Sequence, residues 1–305
     1  MSNKITLRYA NNFSFAKIPF YNSDDETKEL ASIGIVGIPF DAGCSYRTGA
    51  RFGPSAIRTN SCILREYNIA MQTYPFEKGV FDFGDINCTP FDITKSVEQM
   101  EEGLDDVLTK TKKYICLGGD HTISYPSLKS MYKKHGPVSI IHFDSHLDTF
   151  DCHFGSAVTH GTPFKRAYDD GLLNSNKFHV GLRGGTYSEK DLENDKNLGF
   201  KIYPCDAIDD MGIPTIIKQM RDQIGDSKVY ISVDIDCIDP AFAPGTGTPE
   251  VGGFTSREFL RMIRSLKGLN IVGADIVEVS PSYDNQAEIT ALLAGTICYE
   301  LMTIM

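Results

Sequence analysis

The sequence predicts a single three-layer α/β/α domain with a mostly parallel central sheet, and three observations carry that expectation. Short apolar, β-branched runs recur at residues 33–38, 114–117, 138–143, 178–182, 228–233 and 271–277, each the length of a buried strand. Longer stretches with helical spacing lie between them, at 97–108, 125–132, 213–220 and 257–263. Strand, helix and strand repeated along a chain imply right-handed crossovers, which place helices on both faces of a parallel sheet.

Taken in order, the run 33–38 opens the sheet. Pro54 then starts a helix that is expected to run to Leu64, since a first-turn proline lacks only an N–H the helix does not use. The run 114–117 ends in Gly118-Gly119-Asp120-His121, where two glycines allow a tight turn and close backbone approach. The run 138–143 passes into Asp144-Ser145-His146-Leu147-Asp148, and 228–233 into Asp234-Ile235-Asp236. Thr255 and Ser256 are start signals for the helical stretch 257–263, and 271–277 leads to Glu278. No repeat, low-complexity tract or Gly- or Pro-rich linker divides the chain, so residues 1–305 read as one domain. The acidic stretch 23–29 reads as a solvated surface loop.

Of the 305 residues, 41% are hydrophobic and 23% charged, the balance of a soluble globular protein with a full core. No run of about 18 apolar residues occurs, so no spanning helix is expected. The first residues lack the basic and then apolar pattern of a secretory signal. Eight scattered cysteines without a CxxC pair point to reduced thiols in a cytoplasmic protein. The formal net charge of −10 argues against a nucleic-acid partner, which needs clustered Lys and Arg, and favours a cationic ligand.

In open parallel sheets ligands gather beyond the carboxyl ends of the strands. Alternation in extended backbone would put Asp144, His146 and Asp148 on one face, and Asp234 with Asp236 on one side of another strand. His121 stands at a third strand end. Any one of these segments alone would pass as a loop with a capping Asp. Together, four carboxylates and two imidazoles need a large positive counter-charge. A set rich in oxygen, with two imidazoles and no thiolate, disfavours a structural zinc site and suits Mn²⁺. Two divalent ions would balance four carboxylates and lower the pKa of a shared water, giving a hydrolase its nucleophile.

Seven stretches, 37–41, 47–54, 118–121, 144–148, 160–162, 232–240 and 275–281, resemble in order the ureohydrolases: arginases, agmatinases and related guanidino-acid hydrolases. The likeness covers most of the chain and implies an arginase-like fold with two Mn²⁺ per subunit. It implies that His121, Asp144, Asp148 and Asp234 hold one ion and that Asp144, His146, Asp234 and Asp236 hold the other, with Asp144 and Asp234 bridging. It also implies that Glu278 pairs with the substrate guanidinium, for which a carboxylate is the matching bidentate partner. His160, of ordinary pKa about 6.5, would shuttle a proton to the leaving amine. The family forms trimers or hexamers, so a homo-oligomer is expected.

This sequence departs from the family's pattern at Ser145 and Leu147, where Ala and then Thr or Ser are usual. Both are expected to alternate away from the metals. His142, inside a strand, is expected in a supporting or core role, and His153 in the loop 149–159 is expected to be solvated. That loop carries Phe150 and Phe154 and few donors for an amino-acid tail, which resembles agmatinases more than arginases. The implied reaction is agmatine to putrescine and urea. Hydrolysis of 4-guanidinobutyrate, 3-guanidinopropionate or arginine, or a non-catalytic family member, are the alternatives. Asp151 would either meet the ammonium of agmatine or cap a turn. A dinuclear phosphoesterase would carry a Gly-Asn-His-Asp/Glu segment, which is absent, and a single-zinc deacetylase would not need both His121 and Asp148. The loop 43–53 lacks the Gly-Lys-Ser/Thr ending of a phosphate loop and is expected at the rim of the site.

Overall fold

The computed structural model describes residues 7–10, 13–22 and 30–305, so the acidic stretch 23–29 lies outside the described residues. In chain order the elements are β1 (Ala31–Gly37), α1 (Gly53–Ser61), β2 (Val80–Asp85), α2 (Ile93–Lys110), β3 (Thr111–Leu117), α3 (Ser124–His135), β4 (Val138–Phe143) and α4 (Pro163–Asp169). There follow β5 (Leu173–Leu182), α5 (Glu189–Asn197), β6 (Phe200–Pro204), α6 (Cys205–Met211), α7 (Ile213–Ile224), β7 (Lys228–Asp234), α8 (Ser256–Ser265), β8 (Asn270–Val277) and α9 (Ile289–Ile304).

The strands form one parallel sheet in the order β2-β1-β3-β8-β7-β4-β5-β6. Alternate side chains feed two cores. Ile115 and Leu117 of β3, with Ile141 and Phe143 of β4, pack under α1 and α6 to α9. Tyr114, Cys116 and Ile140 face the layer of α2, α3 and α4. This is the expected three-layer arrangement. Burial of both faces explains why the inner strands read as continuous apolar runs.

Local chemistry sets the helix ends. Asp92 caps α2 by accepting from the Lys95 N–H, and Thr255 with Glu258 forms a capping box on α8. The helix from Pro54 stops at Ser61, short of Leu64, because a turn closes there with the Leu64 N–H on the Ser61 carbonyl. Sequence reasoning missed the outer strands β2 and β6. β2 carries Asp82 and Asp85, and β6 has five residues at the sheet edge. It also missed α9, which is buried nearly all round and so shows no one-sided stripe.

β3, β8, β7 and β4 are neighbours in the sheet, so the four strand ends bearing polar residues lie side by side. The turn after β3 depends on close approach. Neither Gly118 nor Gly119 has positive φ, so a left-handed turn is not what they supply. A Cβ on Gly119 would instead lie 1.7 Å from the Phe40 carbonyl oxygen, which also accepts the Asp120 N–H at 2.7 Å. Gly119→Ala is therefore expected to lower the unfolding free energy by about 3 kcal/mol, read from the urea midpoint against the unchanged protein.

Candidate metal centre

The convergence of carboxylates does not arise from extended backbone. After β4 the Asp144 N–H still bonds the Val180 carbonyl, but the chain then bends and Asp148 adopts φ 53°. The Asp144 carboxylate closes that bend by accepting the His146 N–H at 2.6 Å. After β7 the residues Ile235–Cys237 form a 3-10 turn, and Asp234 accepts the Asp236 N–H at 2.8 Å. Asx-type turns, rather than side-chain alternation, bring these groups together.

His121 lies on a short 3-10 turn past β3 and is fully buried. Ser232 gives its hydroxyl proton to Asp275 at 2.6 Å, so its oxygen accepts from His121 Nε2–H at 2.9 Å. The other nitrogen, Nδ1, then faces three carboxylates, at 3.2 Å from Asp144, 2.9 Å from Asp148 and 3.2 Å from Asp234. It makes no proper hydrogen bond with any of them. Donor atoms about 3 Å apart are the edges of an octahedron with metal–ligand distances near 2.1 Å.

A second cluster adjoins the first. His146 Nδ1 lies 3.3 Å from Asp144 Oδ1 and 3.1 Å from Asp236 Oδ2. Asp144 therefore turns one oxygen to each cluster. All six residues singled out from sequence are brought together, and the orphaned Nδ1 of His121 fits a cation there. Burial, with Asp236 and Asp144 alongside, pushes Asp234 well above the usual carboxylate range. Burial and Asp144 also raise Asp236. Burial would lower His121, but its three carboxylates hold it well above an ordinary imidazole. In the absence of a cation this pocket takes up protons instead.

The surrounding groups revise several expectations. Ser145 does not point away: its hydroxyl donates to Asp236 Oδ1 at 2.7 Å. Leu147 is buried and lines the cavity above the site. Both face the centre because the bend after Asp144 breaks the alternation. His142 donates through Nε2 to Asp144 at 2.7 Å, and its Nδ1 lies 2.7 Å from Nδ1 of His179, its register partner on β5. One proton lies between those two atoms, so His179 donates and His142 accepts. His179 Nε2 faces buried Asp195 of α5 at 2.7 Å without a hydrogen bond, and Thr149 donates to the other oxygen of that carboxylate. A polar histidine inside the apolar run 178–182 was the available signal for this row.

Glu278 follows β8 at φ 62°, a strained left-handed position that turns its carboxylate inward. Its Oε1 accepts the His121 N–H at 2.9 Å and meets His160 Nδ1 at 3.1 Å. Oε2 makes no hydrogen bond among the described residues. His160 Nε2 lies 2.7 Å from Ser45 Oγ, and the Gly43 N–H donates to buried Asp120 at 2.8 Å, so the loop 43–53 does reach the site. Burial and the Glu278 charge raise Asp120 to about 7.

Above these groups opens a cavity of about 400 Å³. His153 lines it, stacked on Phe150 with ring centroids 5.3 Å apart, and so is not a solvated loop residue. Asp151 does neither thing expected of it; it lies outside, paired with Arg166 and Lys165. Thr186, Tyr187, Thr248 and Glu250 also line the cavity, though nothing in their sequence pattern marked them. No lining residue is lysine or arginine. Nearby Arg183 is committed to the backbone carbonyls of Asp236, Cys237, Glu250 and Val251.

The sequence profile of the Arginase family matches residues 31–304. The mitochondrial agmatinase of Gallus gallus is 41% identical over 272 residues, covering 88% of this chain and 80% of that protein. The guanidinobutyrase of Pseudomonas aeruginosa is 37% identical, covering 98% and 93%. Among solved structures, proclavaminate amidino hydrolase from Streptomyces clavuligerus superposes with TM-score 0.91 at 36% identity, covering 98% of each chain.

The His160–Glu278 pair sets a pH dependence. Burial would lower His160, but the Glu278 carboxylate lifts it to about 9. A raised folded pKa gives stability that is complete below the unfolded value, about 6.5, and lost as pH rises through about 9. In metal-free protein this amounts to roughly 3 kcal/mol. Urea unfolding from pH 6 to 10 is expected to show the decline, and His160→Asn to make it shallower, His121 keeping its own share.

Proposed function

The chain belongs to the arginase family and is a hydrolase acting on guanidino compounds, and from that premise we propose that it uses two Mn²⁺ ions to cleave agmatine into putrescine and urea. The observation that carries the reading is the pair of imidazole–carboxylate clusters sharing Asp144, set below a cavity with no lysine or arginine in its lining. On this reading His121, Asp144, Asp148 and Asp234 would hold one ion and Asp144, His146, Asp234 and Asp236 the other. Asp144 and Asp234 belong to both sets. Bound there, the ions would supply Lewis acidity and an activated water.

The chain's own side chains do the rest. Glu278 takes the guanidinium through Oε2, which is left to accept a charge-assisted bond while Oε1 holds the His121 N–H and His160. His160, protonated beside Glu278, gives a proton to the leaving amine, and Ser45 steadies its far nitrogen. Glu250 at the cavity wall meets the distal ammonium. Its carboxylate, packed over Gly184, makes no hydrogen bond among the described residues. The proposal also includes a cytoplasmic enzyme assembled as a trimer or hexamer. Its cysteines are free, and no described helix is long and apolar enough to cross a membrane.

The name of the Pseudomonas relative favours a second reading, a guanidino acid as substrate. Such a substrate would need a cation for its carboxylate, and Arg183 is already spoken for by the backbone. Urea release from agmatine, 4-guanidinobutyrate, 3-guanidinopropionate and arginine, with and without added Mn²⁺, separates the two. Agmatine is expected to lead in kcat/KM; preference for a guanidino acid would overturn the agmatine assignment. Glu250→Gln is expected to lower kcat/KM for agmatine about tenfold and to spare 4-guanidinobutyrate. Glu278→Gln is expected to lower kcat/KM about a hundredfold for every substrate, the scale of a lost charge-assisted pair.

A further inference from the structure

One donor beside Glu278 has no part in that chemistry. Cys44 Sγ, a ring nitrogen of His160 and a carboxylate oxygen of Glu278 lie within 4.8 Å of one another. Thiol, imidazole and carboxylate together make a softer set than the oxygen-dominated clusters around Asp144, and it is a set that zinc takes. We propose that Cys44, His160 and Glu278 form a third cation site, selective for a thiophilic divalent ion such as Zn²⁺, which occupies the ground of the substrate guanidinium and so competes with it. The inference rests on the reading of Glu278 as the guanidinium's partner.

The backbone keeps this place open. Gly247 faces both groups: a Cβ there would lie 3.7 Å from Cys44 Sγ and 3.7 Å from Glu278 Oε2. Cys44 is half-buried and gives only a weak bond, Sγ to the Arg47 carbonyl at 3.2 Å. His160 offers Nδ1 once the proton it shares with Glu278 leaves for solvent; the proton left on Nε2 then goes to Ser45 Oγ at 2.7 Å, the shorter of its two Ser45 contacts, the backbone nitrogen lying at 3.2 Å. Glu278 keeps Oε2 unused. Burial and the charge of Glu278 push the thiol up to about 12, so without metal it stays protonated and unreactive. The same negative surroundings draw a cation, and the bound cation displaces the thiol proton to solvent.

Co²⁺ is the probe, since a thiolate bound to it gives a charge-transfer band in the near ultraviolet. Manganese-loaded full-length protein titrated with Co²⁺ is expected to show that band while its manganese stays bound, and Zn²⁺ is expected to bleach it. Zn²⁺ should also inhibit urea release competitively with agmatine. Cys44→Ser is expected to abolish the band and to raise the half-inhibitory zinc concentration about tenfold or more. Cys152→Ser, which removes the exposed cysteine, should keep both signals. A band that survives in Cys44→Ser, zinc inhibition unchanged in that variant, or inhibition that substrate does not relieve would overturn the proposal. Should the manganese-loaded protein release urea from no guanidine, the proposed function fails, and the cobalt band still decides whether the third site exists.

Discussion

Like charges buried at the carboxyl ends of adjacent strands govern this molecule. β3, β8, β7 and β4 lie side by side and deliver His121, Glu278, Asp234 with Asp236, and Asp144 with Asp148 to one small volume. A carboxylate taken from water without a partner is expensive, and several gathered around the same imidazole nitrogens repel as well. Protons relieve the repulsion only in part, as the raised Asp234 and Asp236 indicate. A pair of divalent ions would relieve it fully, and the lone nitrogen of His121 aims into the space such an ion would fill.

The protein builds rigid supports around that repulsion. Asp275 and Ser232 set the tautomer of His121, while Ser145 braces Asp236. His142 ties Asp144 to His179, its neighbour on β5. Supports of this kind hold a ligand's orientation and its basicity. Glu278 and Asp148 pay with left-handed backbone for their placement, and the Glu278 N–H is held by the Gly119 carbonyl at 2.9 Å.

Much of this was legible in the sequence, because burial on both faces of a parallel sheet writes inner strands as apolar runs and their ends as abrupt polar clusters. The six clustered Asp and His residues were found that way, although the reason offered was wrong. The alternation invoked for Asp144, His146 and Asp148 stops at Phe143, and turns capped by Asp144 and Asp234 take over. That is also why Ser145 and Leu147 face the centre. The cavity wall was not legible. Thr186, Tyr187 and Glu250 come from loops whose placement depends on Arg183 binding distant carbonyls, a tertiary contact with no local pattern. α9 was missed for a related reason: a helix buried on all sides has no polar face to betray its period.

Two cations are proposed to hold together the carboxylates around His121 and His146. Anomalous diffraction at the manganese edge, from crystals grown with Mn²⁺, tests this most directly. Two peaks roughly 3.5–4 Å apart, both within bonding reach of Asp144 and Asp234, are predicted. A single peak, or density away from these residues, would contradict the account.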